Sequence, residues 1–212
     1  MPPLKTWAIN IKRIVMQSVT IDIFNKVFSF DDATGKLIDT KQDILVDNPV
    51  CLNFLKMEVE VDPEAQIKMH NIKLIPPTQP IANYVKYVQV GNLVFLSGHG
   101  PEKPEGGQVL GKLGKDLTLE EGQAAARLTG ISLLSTLKGY LGDLNKVKRV
   151  VKVLGLVNST AEFTQQPFVM NGFSNLMVEV FGNRGKHARS AVGTNTLPNN
   201  FAVEIEMIVE LK

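Results

Sequence analysis

Little in this chain marks an extreme class. One cysteine, Cys51, stands among 212 residues. A single chain can therefore form neither an internal disulfide nor a cysteine-based zinc site, and a reducing compartment is expected. An excess of one charge is also missing, since 23 Lys and Arg face 21 Asp and Glu. Nucleic-acid binders usually concentrate cations on one surface, because phosphate neutralisation supplies much of their affinity. Nucleic acid is accordingly not the expected partner. No apolar run approaches the roughly 18 residues that would span a bilayer. The opening MPPLKTWAINIKRIV lacks the unbroken apolar stretch of a secretory leader. The expected location is cytoplasmic, without a membrane partner. Internal repeats and low-complexity tracts are absent, and GPEKPEGGQVLGKLGK lacks the GK[ST] ending and the strand-to-helix setting of a phosphate loop. His70 and His187 have no partner spacing for a metal. Neither metal nor cofactor is expected.

What remains is the composition of a globular protein, 44% hydrophobic and 21% charged. Pro76, Pro77 and Pro80 interrupt hydrogen-bonded structure in IPPTQPIANY and suggest a boundary, with residues 1–73 an extension and 74–212 a domain. In the extension, the alternation of VTIDIF, the turn sequence DDATGK and the segment CLNFLKMEVEV predict a few strands. DPEAQIKMHNIKL predicts a short helix with Asp62 as N-cap and Pro63 at its first position.

The domain has a clearer pattern. VKYVQV and NLVFLSG, pivoting on Gly91-Asn92, predict a hairpin whose second strand is buried on both faces, and Val109-Leu110 a short strand. Thr118 followed by Glu121 is a capping box, opening a helix to about Leu141 with Ala126, Ile131, Leu133, Leu134, Leu137 and Leu141 as its apolar stripe. VKRVVKVLGLV is short and β-branched, hence a strand. A second helix is expected over Phe163 to Phe181, with Phe173, Leu176, Met177 and Val180 at helical spacing and Gly182 closing it. ARSAVGTNTL and AVEIEMIVEL follow as strands around a Pro198-Asn199-Asn200 turn. The order β-β-α-β-α-β-β predicts an α+β fold in two layers, with both helices on one face of the sheet and the other face in need of a cover.

IANY, NLVFLSGHGP, GDL and the ending RSAVGTNTLPNNFAVEIEMIVEL are spread along residues 74–212. Together they resemble the reactive-intermediate deaminase family, called Rid or YjgF and also labelled endoribonuclease L-PSP. The resemblance implies a chorismate-mutase-like fold, assembled as a homotrimer with clefts shared between subunits. It also implies hydrolysis of small carboxylate-bearing enamines or imines, of the 2-aminoacrylate or 2-iminobutanoate type, to a 2-oxo acid and ammonia. A non-catalytic ligand-binding or regulatory trimer and a ribonuclease or translation inhibitor are the alternatives. The first 62 residues are either a β-rich addition beside the trimer or a segment left out when translation starts later, for instance at Met57.

A carboxylate beside an electrophilic carbon calls for a planar guanidinium that can grip both oxygens. On spacing alone Arg189 reads as a solvated arginine after a basic loop, and it is the resemblance that makes it the anchor. Glu204 then matches an acidic residue able to hold water or relay a proton. Tyr84 matches the tyrosine that closes over the substrate. Ser97 and Gly98 of the SG turn, Asn171 of the second helix and Ala191 complete the implied binding site. Many members carry cysteine where this chain has Ala191, so a candidate thiol is missing. His99 is a weak candidate base.

Overall fold

In the computed structural model the described residues are 61–76 and 82–212, together with the backbone of five short strands within the first 60. The chain forms two units, Met1–Val59 and Glu60–Lys212. In the first, β1 (Ile14–Met16) pairs antiparallel with β2 (Val19–Ile21). β3 (Phe28–Asp31), β4 (Lys36–Asp39) and β5 (Ile44–Leu45) form a separate antiparallel sheet, with β3 and β4 on either side of the expected DDATGK turn. The expected CLNFLKMEVEV strand, Cys51 with it, and the prolines Pro77 and Pro80 lie outside the described residues.

The second unit begins at Glu60, ahead of the boundary expected at 74. Its first helix, α1 (Pro63–Met69), starts as the sequence predicts. Asp62 caps it by accepting from the amides of Glu64 and Ala65, with Pro63 in the first turn. The same Asp62 carboxylate accepts from Asn145, and Glu64 accepts from Lys138 at 2.7 Å and from the Leu144 amide at 2.9 Å. The Ile75 amide donates to Ser135 at 3.0 Å. These bonds span 60 to 83 residues of sequence, so local pattern alone cannot reveal that residues 61–76 belong with the domain.

α2 (Leu119–Leu141) carries the predicted capping box at Thr118 and Glu121, and ends at Gly142, whose φ of 72° suits a residue without a Cβ. Its predicted stripe is buried. Residues 129–137 are in fact buried all round, because the 61–76 segment covers the flank that the sheet and the next helix leave open. The second long helix, α3 (Asn171–Phe181), starts later than expected. One helical turn at Gln166–Val169 precedes it, and the hydrogen-bond ladder is interrupted just after Met170, whose own amide still donates to Gln166 at 3.1 Å, with Pro167 accommodated in that lone turn. Phe173, Leu176, Met177 and Val180 are all fully buried.

The sheet has the order β6-β7-β10-β8-β9, where β6 is Tyr87–Val90, β7 Leu93–His99, β8 Val147–Asn158, β9 Ala188–Thr194 and β10 Val203–Leu211. All pairs are antiparallel except β8 with β9. Val109-Leu110 gives an isolated bridge, Leu110 to Phe201, in place of the expected strand. Alternation on β10 turns Val203, Ile205, Met207 and Val209 toward the helices. The second hairpin strand is not buried on both faces. Val94 and Leu96 are buried under the helices, whereas Phe95, on the other face, is 41% exposed.

A bulge interrupts β7. Ile205 pairs with His99 and Met207 with Leu96, so Ser97 and Gly98 together oppose Glu206. The extra residue reverses the alternation and turns His99 inward. There Nδ1 donates to the Ser97 carbonyl at 2.7 Å and Nε2 accepts from the Thr136 hydroxyl at 2.8 Å. Burial pushes the imidazole pKa down to about 4. His99 is thus a core residue joining bulge to helix. Among the described residues, no helix is long and apolar enough to cross a membrane.

Candidate active site

Arg189 sits on edge strand β9, in register with Val153 and Met207 and hence on the helix-covered face. Because β9 is at the edge, its side chain reaches past the sheet to the start of α3. There Nη1 donates to Asn171 Oδ1 at 3.2 Å and to Ser174 Oγ at 2.9 Å, and Nη2 donates to the Pro167 carbonyl at 3.0 Å. That carbonyl belongs to the turn where the helical ladder is broken. No carboxylate among the described residues pairs with the guanidinium. Burial pulls its pKa down from the ordinary value, the effect of a charge held out of water by neutral acceptors. A guanidinium has five N–H donors, and these contacts use three, leaving Nε–H and one N–H of Nη2. Unspent guanidinium donors suit the oxygens of a carboxylate.

Ser174 and His187 complete this group. The Gly185 carbonyl lies 2.7 Å from His187 Nδ1, which therefore carries the hydrogen, and the Ser174 hydroxyl lies 3.1 Å from Nε2. Sequence reading missed both. The available hints were that Ser174 falls three residues after Asn171 on one helix, and His187 two before Arg189, immediately ahead of β9. Ala191 lies on the same face as Arg189, opposite Gly155, where Met170 fills the space a side chain would need.

Glu204 belongs to a different group. It pairs with Leu156 on the sheet face away from the helices, and its carboxylate lies over Gly98, where any Cβ would overlap Oε1. Burial raises its pKa, and the Glu206 charge raises it further. Ser97 spends its hydroxyl on the Val85 carbonyl at 2.7 Å, fixing the segment that carries the exposed Tyr84. The structure thus brings Arg189 together with Asn171, and Glu204 with Gly98. Within one chain it separates the two groups by β8 and places them on opposite faces of the sheet.

The chain is thus a two-layer α+β domain with Arg189 on one sheet edge and the half-buried Glu204 on the far face. The model of the family described as "YjgF/chorismate_mutase-like, putative endoribonuclease" matches residues 65–211, and the chain belongs to that family. Protein TCP17 of Trypanosoma cruzi is 46% identical over 148 residues, 69% of this chain and 92% of its own length. The crystal structure of Atu1372 from Agrobacterium tumefaciens, a protein of unknown function, is 40% identical with a TM-score of 0.66, over 71% of this chain and 92% of that one. A structure from Shewanella oneidensis MR-1 bearing the same endoribonuclease designation is 29% identical with a TM-score of 0.69, over 71% of this chain and 99% of that one. The family match reaches back to residue 65 and so includes most of α1.

Proposed function

We propose that residues 60–212 form a hydrolytic deaminase for small enamines and imines, of the 2-aminoacrylate or 2-iminobutanoate type, that carry a carboxylate next to the reactive carbon. The observation that carries this reading is Arg189, a cation at an accessible edge with no acid partner among the described residues and donors to spare. The carboxylate of the substrate supplies the missing partner. An enamine first becomes its imine by gaining a proton on the β carbon and losing one from nitrogen; water then adds to the C=N carbon, the resulting carbinolamine expels its nitrogen as ammonia, and a 2-oxo acid is left. Glu204, whose pKa is raised by burial, is suited to hold that water and pass its proton. The hydroxyl of Tyr84 shapes the entrance.

Arg189 and Glu204 cannot serve one substrate from opposite faces of a single sheet. The working site in this proposal lies between copies of the chain, in a homotrimer with three shared clefts. Apolar side chains on the outer face support the assembly: Val88, Phe95 and Val192 are 51%, 41% and 47% exposed in the single chain. Ala191 brings no thiol, which favours water-based chemistry and also keeps a second reading in play, ligand binding without turnover.

Ammonia release from 2-iminobutanoate generated in the assay decides between them. The wild type is expected to speed release, and Arg189→Ala to lower kcat/KM about 100-fold, the equivalent of roughly 3 kcal/mol for charge-assisted bonds to a carboxylate. Full activity in that variant would refute the anchor. Tight binding of 2-oxobutanoate with no ammonia released would select the ligand-binding reading.

A further inference from the structure

Two partners make different demands on the Ser174 hydroxyl. Arg189 Nη1 donates to its oxygen, so a lone pair must point that way. His187 Nε2 lies 3.1 Å from the same oxygen. Because Gly185 offers a carbonyl to Nδ1, the neutral ring has its lone pair at Nε2, and the Ser174 O–H donates to it. The ring is itself held edge-on to Phe173, with centroids 5.7 Å apart at 74°. Burial pushes the His187 pKa down, the bond to Gly185 pushes it up, and the charge of Arg189 pushes it down again. Arg189 is the charged group facing the ring, since the nearby Arg184 turns to the carbonyls of Val61 and Val147.

We propose that His187 is a positioning residue for the carboxylate anchor: by accepting from Ser174 it fixes the lone pair that holds Nη1, and so keeps the free donors of Arg189 aimed outward. The inference rests on Arg189 being that anchor. A serine in a helix has a competing acceptor, the carbonyl four residues back, and Thr129, Ser132 and Ser135 of α2 all use it. For Ser174 that carbonyl is Met170. With His187 gone, the O–H turns to Met170, the lone pairs rotate with it, and Nη1 loses one of its two acceptors. The guanidinium then samples several orientations, and a carboxylate must order it again on binding.

His187→Leu removes the acceptor, while His187→Gln restores one close to the position of Nε2. KM for the imine, and Kd for 2-oxobutanoate, should rise about tenfold in His187→Leu with kcat within about twofold, and return most of the way in His187→Gln. Ser174→Ala should give the same rise, and the double variant no more, because both cut one chain of bonds. A wild-type KM in His187→Leu overturns the proposal. So does a loss of kcat together with thermal stability that His187→Gln fails to rescue. If the wild type neither turns over the imine nor binds 2-oxobutanoate, the anchor reading fails, and the positioning claim is decided without ligand by nitrogen NMR of the guanidinium. Separate Arg189 Nη resonances in the wild type that merge in His187→Leu uphold it, and unchanged resonances overturn it.

Discussion

At Glu204 the surroundings of one side chain set a testable pH dependence. Its carboxyl is half-buried over Gly98 with Glu206 two residues along the strand, and both burial and the neighbouring charge favour the protonated form. In the proposed reaction the ionised form holds and activates water. The folded pKa lies above the ordinary carboxylate value, so activity should fall as pH drops through that raised value, earlier than an exposed glutamate would allow. Glu204→Gln should lose most of kcat and flatten this acid limb; an acid limb that persists in the variant would assign it to another group. Arg189, Glu204 and Asn171 were legible through motif resemblance, since three glutamates alternate along the last strand and nothing in its periodicity separates Glu204 from Glu206 and Glu210. Ser174 and His187 were not legible. The role proposed for them is a hydrogen-bond geometry between a helix and the segment leading into β9, and sequence spacing records each element alone.

Between elements, the bulge in β7 shows why a strand's alternation is an incomplete guide. Period-two counting puts His99 on the face of Phe95, whereas the two residues opposed to Glu206 reverse the sense and bury it against α2. The helices were readable because their signals are local: a capping box at Thr118, an N-cap at Asp62, and apolar spacing that fits 3.6 residues per turn. The bulge depends on pairing between strands more than a hundred residues apart. His99 ties stability to pH through this contact. Its folded pKa of about 4 lies below the ordinary 6.5, so the unfolded chain takes up its proton first. The stability it confers is complete above 6.5 and declines as pH falls from there to about 4. At about 1.4 kcal/mol for each pH unit, the loss is about 3 kcal/mol. Chemical denaturation across that range should show the decline in the wild type, and His99→Gln should remove that part of the slope.

For the molecule as a whole, the proposed function with Arg189 and Glu204 on opposite faces has one consequence: neither half of the site would work alone. On the outer face Phe95 and Ile208 are in register, as are Leu156 and Val192. This apolar surface is what a second copy would cover in the proposed trimer. Shared clefts make a quantitative prediction that sites within one chain do not. Chains bearing Arg189→Ala and chains bearing Glu204→Gln are each expected to be inactive. If the two are coexpressed with different tags and purified through both, every recovered trimer contains one chain of one kind and two of the other. Going round such a ring, a single cleft pairs an intact Arg189 with a neighbour's intact Glu204, whichever variant is in the majority. The mixed trimers should therefore regain about one third of wild-type turnover, and salt or dilution that splits the trimer should abolish it. No recovery in verified mixed trimers would mean that both groups act within one subunit, a geometry that the register of β8, β9 and β10 opposes.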